Sequence, residues 1–198
     1  MLALLAAAAA TFQQPSTPES FRRYLLGEWT LRKAINYKEG GVSGTFSGSA
    51  TFSLLDAEKP GSWGLVAYNE RGVFTPKQSN FQERETRNAL LYDFSETTKA
   101  DVFYDMATDR GNAEDVLRQA SYLYSLTTTD VGTLGIAQTS SGAESYSGSI
   151  EAEAPNAFIS TWRVAGPGVD GEIASLYRRV DEMEDIREDR PIDVDVLE

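Results

Sequence analysis

The chain has 198 residues, 41% hydrophobic and 24% charged, with 18 Lys and Arg against 30 Asp and Glu and neither His nor Cys. That length suits one ordinary domain with tails, and a net charge of −12 argues against a nucleic-acid partner, whose phosphates demand clustered basic residues. Without His or Cys the chain cannot build the usual zinc or haem ligation, disulfides, thiol nucleophiles or imidazole triads, so any chemistry falls to carboxylates, Tyr, Lys, Arg, Ser or Thr.

Met1 to Ala10 is wholly apolar, about half the length of a bilayer span, so no integral membrane span is expected there. Ala8, Ala9 and Ala10 offer a cleavage site of the signal-peptide kind, but the basic n-region is missing. Phe12, just past the alanines in an acid-poor stretch, is similar to the cleavage-site Phe of presequences for secondary plastids. Residues 1–20 are therefore expected to be a targeting or disordered leader. Secretory or plastid delivery follows if the leader acts, and a cytoplasmic protein if it does not.

A period of two dominates from Trp29 onward, which is the signature of strands with one buried face. Trp29, Leu31, Lys33, Ile35 and Tyr37 alternate with Thr30, Arg32, Ala34 and Asn36; Phe46, Gly48, Ala50, Phe52 and Leu54 alternate with Thr45, Ser47, Ser49, Thr51 and Ser53. The KEGGVSG linker between them reads as a hairpin connection. Further strands are predicted over 63–69, 72–75, 81–94, 100–105, 121–129, 133–138, 146–153, 158–165 and 172–180. The stretch 112–119 (NAEDVLRQ) predicts a short helix, with Asn112 as cap and acids in its first turn. The TDRGN and SSGAESYSGS runs read as loops by composition. From Val180 to Glu198 nine acids face two bases, so this end carries −7 and the rest −5; such a segment buries too little apolar surface to offset its ordering entropy. It is expected to be an acidic disordered tail over 181–198, leaving 21–180 as one domain.

Gly48 beside Ala50, on the face of Phe46 and Phe52, implies a bend or a close approach, as barrel closure requires. Closure also removes the edges that a Ser-rich sheet would expose. The expected fold is all-β: a single closed antiparallel barrel with one short inserted helix.

The ordered residues Leu26-Gly27-Glu28-Trp29 with Leu31, Arg32 and Ile35, then Gly44, Phe46, Gly48, Ala50 and Phe52, then Tyr68, Glu70 and Gly72, then Trp162, Val164, Gly166 and Pro167, and last Tyr177-Arg178-Arg179 form a pattern. It resembles a lipocalin-like β-barrel family of unknown function, over about Phe21 to Val180, with the motifs LxGxWxLxR, GxFxGxAxF, WxVxGP and YRR. The Gly-x-Trp also resembles the lipocalin and calycin signature, which implies that Trp29 plugs one barrel end and a late Arg, Arg179, stacks over it. Where family members carry GPRKDY, this chain has Gly166-Pro167-Gly168-Val169-Asp170-Gly171; an HxCxxDxYxG segment is matched by Thr139, Ser141, Glu144, Tyr146 and Gly148. The resemblance implies fold and orientation and no activity.

Glu70, Glu144 and Asp170 are the acids most suggestive of chemistry, because paired carboxylates in an apolar cavity can serve as acid and base; the alternative is pairing with Arg32, Arg163 or Arg178 at the rim. Tyr68, Tyr104, Tyr146 and Tyr177 can line a pocket or belong to the core. Neither a phosphate-binding loop nor an EF-hand nor an SxxK motif is present. No cofactor, metal site or catalytic residue is expected. The leading expectation is a barrel that binds a small apolar ligand through Trp29, Leu31, Phe46, Ala50, Phe52, Trp162 and Tyr177, with Gly48 giving clearance. The alternatives are a carboxylate and Tyr enzyme or chromophore-handling factor, and an assembly scaffold using the outer wall and the tail. The sequence leaves the oligomeric state open.

Overall fold

In the computed structural model the described residues are 12–55, 64–106, 113–128, 133–136, 139–141 and 143–180. The expected leader up to residue 11, the TDRGN run with its Asn112 cap, and the acidic tail lie outside them. Eleven strand segments form one antiparallel sheet: β1 Gly27–Glu39, β2 Gly44–Leu54, β3 Leu65–Pro76, β4 Arg84–Asp93, β5 Lys99–Tyr104, β6 Ser121–Thr128, β7 Thr133–Ile136, β8 Thr139–Ser141, β9 Glu144–Ala154, β10 Ala157–Gly166 and β11 Val169–Arg179. Neighbours follow the chain from β1 to β7, β7 pairs with β9, and β9, β10 and β11 lead back to β1. The ring closes, so the expected all-β antiparallel barrel is what the chain forms.

Two differences from expectation lie in the strands. The 72–75 strand is the continuation of β3 through Gly72. The SSGAESYSGS run is not a loop but the β8–β9 hairpin, with Thr139 opposite Tyr146 and Ser141 opposite Glu144. Its serines hide a period-two pattern in which Tyr146, Gly148 and Ile150 share a face and Ser145, Ser147 and Ser149 take the other.

The helices sit outside the ring. The expected inserted helix is α2, Ala113–Gln119; Val116 packs on Leu65, Ala67 and Leu91, which face outward from β3 and β4. A second helix, α1 (Pro18–Leu25), begins inside the stretch expected to be leader. Thr17 caps it, with a reciprocal bond to Ser20, Pro18 at its start, Glu19 in the first turn, and Arg22 and Arg23 in the last. Its apolar side, Phe21 and Leu25, is fully buried against the barrel end occupied by Trp29. The ordered chain extends further upstream, since Pro15 is buried and Gln14 Nε2 donates to the Ala152 carbonyl at 3.1 Å.

That end is sealed. Trp29 is fully buried, donates its indole N–H to the Leu25 carbonyl at 2.7 Å, and meets Phe158 edge-on at 4.7 Å. The Arg179 guanidinium lies 4.2 Å from the centre of the Trp29 ring and donates to the Leu26 and Tyr24 carbonyls at 2.7 and 2.5 Å. Gly27 (φ 124°) lets the chain pass under this arginine, where a Cβ would stand 2.7 Å from its Nη1. The second strand corrects one expectation. Gly48 stands opposite Gly72, and a Cβ at 48 would meet the Arg71 carbonyl oxygen at 2.2 Å; the glycine permits two backbones to approach and gives no ligand clearance.

Replacing Trp29 by Ala is expected to cost about 3 to 5 kcal/mol, read as a lower denaturation midpoint at unchanged slope. A loss within the range of surface substitutions would place the barrel's closed end elsewhere.

Candidate functional site

Cross-strand register places Trp29, Leu31, Lys33, Ile35 and Tyr37 of β1 beside Ala50, Gly48, Phe46 and Gly44 of β2 and beside Tyr177, Ser175, Ile173 and Gly171 of β11. This shared inward face has three levels. The lowest is packed solid: Phe52, Phe158 and Tyr177 crowd on Trp29, with Phe158 and Tyr177 stacked at 4.1 Å.

The middle level is polar. Glu70, 7% exposed, accepts from Lys33 Nζ at 2.7 Å on both carboxylate oxygens and from the Tyr68 hydroxyl at 2.5 Å. The Tyr68 and Tyr177 hydroxyls are 3.1 Å apart. Since Tyr68 has spent its proton on Glu70, Tyr177 is the donor of that pair. Buried Ser175 is opposite Lys33 and buried Ser160 is opposite Ser175, and Trp162 donates its indole N–H to Ser160 Oγ at 2.9 Å.

The upper level is only partly covered. Ile35, Tyr37, Tyr146, Trp162 and Ile173 are half-buried, Asn88 is exposed, and Tyr104, opposite the inward Leu90, is 50% exposed. The end of the ring away from α1 is therefore open to solvent. Two shallow concavities, about 280 and 330 Å³, lie beside the N-terminal segment at Gln13 to Ser16 and along the β9–β11 wall at Ser147, Ser149, Thr161, Arg163 and Glu172.

The phenols report the same layering. Burial, followed by the neighbouring Tyr177 and Glu70, holds Tyr68 well above the ordinary phenol value. Tyr92, Tyr124 and Tyr177 are likewise raised, burial being the chief cause, and so is Tyr24 of α1. At the mouth Tyr146, hydrogen-bonded to Glu144 at 2.5 Å, is raised to about 12, by that bond first and by desolvation second.

The three suggestive acids are not brought together. Glu70 pairs with Lys33 inside the barrel and not with a rim arginine. Asp170 lies 3.8 Å from Arg163 at an exposed position, and Glu144 takes the Tyr146 hydroxyl. All eight positions expected to line a pocket share the inward face, yet Trp29, Leu31, Phe46, Ala50, Phe52 and Tyr177 are buried core. Trp162 alone among them reaches the open level. Sequence reasoning missed Lys33, Ser160 and Ser175. The signal for Lys33 was its place in an otherwise apolar alternation, where a charge needs a buried partner.

Among the described residues no group of three or more acidic side chains is placed to hold a metal, and no helix is long and apolar enough to cross a membrane. A model for a family of unknown function, DUF6314, matches residues 25–179. The chain belongs to this family. No functionally curated protein matches it. Among solved structures it is similar to the S-type phycobiliprotein lyase CPES from Guillardia theta, with a TM-score of 0.55, 11% identity, and coverage of 86% of this chain and 93% of that one. It is also similar to a redesigned β barrel, mFAP1, bound to DFHBI, with a TM-score of 0.38, 11% identity, and coverage of 80% and 97%. The lyase has the same lipocalin-like fold.

Removing one member of a buried pair strands the other charge, at a typical cost of about 3 to 5 kcal/mol. Lys33→Met is expected to lose that much in denaturant unfolding, and the K33M/E70L double variant to regain most of it. Additive losses would show that the two side chains do not depend on each other.

A second expectation concerns alkali. A group whose pKa is raised by folding contributes stability below its unfolded value and loses it as pH climbs through the folded value. The five tyrosines raised chiefly by burial (24, 68, 92, 124 and 177) should thus stay phenolic at about pH 11, a unit above the ordinary phenol value. Their tyrosinate absorbance is expected to rise only with loss of the β-sheet dichroism; full ionisation of a still-folded protein at that pH would contradict the buried network.

Proposed function

We propose that the protein binds one small, mainly apolar, planar ligand inside the barrel, without catalysis, the ligand reaching it through the end opposite α1. The observation that carries this reading is the gradient along the inward face. Trp29 and Leu31 are fully covered, the Lys33 side chain is 17% exposed, and Ile35 and Tyr37 are half-buried. A ring that is solid at one end and lined by accessible aromatic and aliphatic walls at the other offers a ligand apolar burial together with a few fixed polar partners. Trp162, tilted against Tyr124 with ring centres 4.7 Å apart, is the wall such a ligand would cover.

A second reading, a chromophore-handling factor, draws support from two features. Glu70 between Lys33 and Tyr68 is a carboxylate with proton donors on two sides, and the fold likeness to a phycobiliprotein lyase spans most of both chains. At 11% identity the likeness concerns the fold.

N-phenylnaphthylamine, a neutral dye that brightens in apolar surroundings, tests the first reading. Saturable brightening with quenching of tryptophan fluorescence is expected, and Trp162→Ala should weaken it about tenfold, equivalent to about 1.4 kcal/mol. Failure of both this dye and a linear tetrapyrrole to bind would overturn the proposal. For the second reading, tetrapyrrole absorbance should change on mixing and Glu70→Gln should abolish the change; an unaltered response in that variant removes its support.

A further inference from the structure

Resting on the barrel-binding reading, we infer that the Lys33–Glu70 pair is the ligand's polar anchor, and that it selects a neutral planar ring with a cyclic amide or imide edge, N–H beside C=O. Unused hydrogen-bonding capacity is the starting point. An ammonium has three donors, and Lys33 gives two of them to the two oxygens of Glu70. A carboxylate offers about four acceptor positions. On Glu70, Oε2 takes both Lys33 and Tyr68, while Oε1 takes Lys33 alone. Among the described residues one donor on Lys33 and one acceptor position on Glu70 Oε1 have no hydrogen-bond partner.

Charge narrows the class. The pair sums to zero in a setting where the Glu70 side chain is 6% and the Lys33 side chain 17% exposed. A ligand anion brought to Lys33 meets Glu70, and a ligand cation brought to Glu70 meets Lys33; each is penalised by a like charge in a weakly screening interior. A neutral group that accepts at one atom and donates at the next satisfies both positions without adding charge. In a cyclic amide or imide the carbonyl accepts from Lys33 and the adjacent N–H donates to Oε1.

The Phe46 ring closes one side of the pair, 5.1 Å from Lys33 Nζ, and small side chains stand on the other. Ser175 is opposite Lys33, Ser160 is opposite Ser175 and Ala50 is opposite Glu70. Above them Trp162 and Ile173 face one another in register and supply flat apolar walls for the ring behind the polar edge. The pair thus sits where the packed floor ends and the accessible level begins. A buried ion pair there costs desolvation that an apolar pair would avoid, and a ligand edge completing its hydrogen bonds gives that cost a use.

Equilibrium dialysis of the full chain with four probes sharing one aromatic body tests this: naphthalimide, N-methylnaphthalimide, naphthoate and naphthylmethylammonium. Naphthalimide is expected to bind about tenfold or more tighter than each of the others, the size of one hydrogen bond to a charged group. In the K33M/E70L variant the preference over the N-methyl analogue should shrink to within about twofold. Equal binding of the N-methyl analogue, or of either ion, overturns the inference. If N-phenylnaphthylamine binds while none of the four does, the inference fails and the barrel-binding reading stands; if nothing binds, that reading falls as well.

Discussion

Arg179 ties three parts of the molecule together at one point. It ends β11, covers the Trp29 ring of β1 at 4.2 Å, and donates to the Tyr24 and Leu26 carbonyls at the end of α1. A cation is favourable at a helix C-terminus, where carbonyls lack intrahelical partners, and over an indole face. Because Trp29 and Arg179 are themselves a register pair, the latch also sets which residues of the first and last strands point inward. A slip of one residue would turn every member of that face outward. The positions of Leu31, Lys33, Ser175 and Ile173 all follow from it.

With the floor fixed, polarity and exposure rise together along the barrel. Buried aromatic rings pack around Trp29 and Phe158, hydrogen-bonded tyrosines and the Lys33–Glu70 pair come next, and the half-covered aromatics of the mouth come last. Burying a charge is expensive unless it is paired and hydrogen-bonded, and Glu70 meets this condition through two neighbours from two strands. The pair thereby links β1 to β3 across β2, whose backbone Gly48 and Gly72 bring close to that of β3. Tight backbone approach and a long-range ion pair reinforce one curvature.

Most of this architecture was legible in the sequence because period-two alternation survives wherever one strand face is apolar, as in Trp29 to Tyr37 and Phe46 to Leu54. It failed where the apolar face is thin. Among the five serines of the SSGAESYSGS run the loop-like composition hid β8 and the start of β9, so the expected strand began only at Tyr146. The helix α1 carried its own signals in Thr17, Pro18, Glu19 and Arg22, masked by an alanine run upstream that drew the boundary too late. Of the polar centre, Glu70, Tyr68 and Tyr177 stood out as residue types. Their union with Lys33 depends on a fold that brings residues 33, 70 and 177 together, which no local window contains.

The ring is not equally strong all the way round. Most neighbouring strands share long ladders, as β1 and β2 do from Gly27 to Ile35, whereas among the described residues β7 meets β6 from Leu134 to Ile136 and β9 from Thr133 to Gly135. Short ladders lose their hydrogen bonds at little cost to the rest. The barrel therefore has a seam on the side away from the Arg179 latch, in the manner of a hoop riveted at one point and hooked at another. Local opening is expected to begin there, so that a ligand of the kind proposed would be accommodated by a change of girth on that side while the Trp29 floor and the strands carrying Lys33 and Glu70 keep their register.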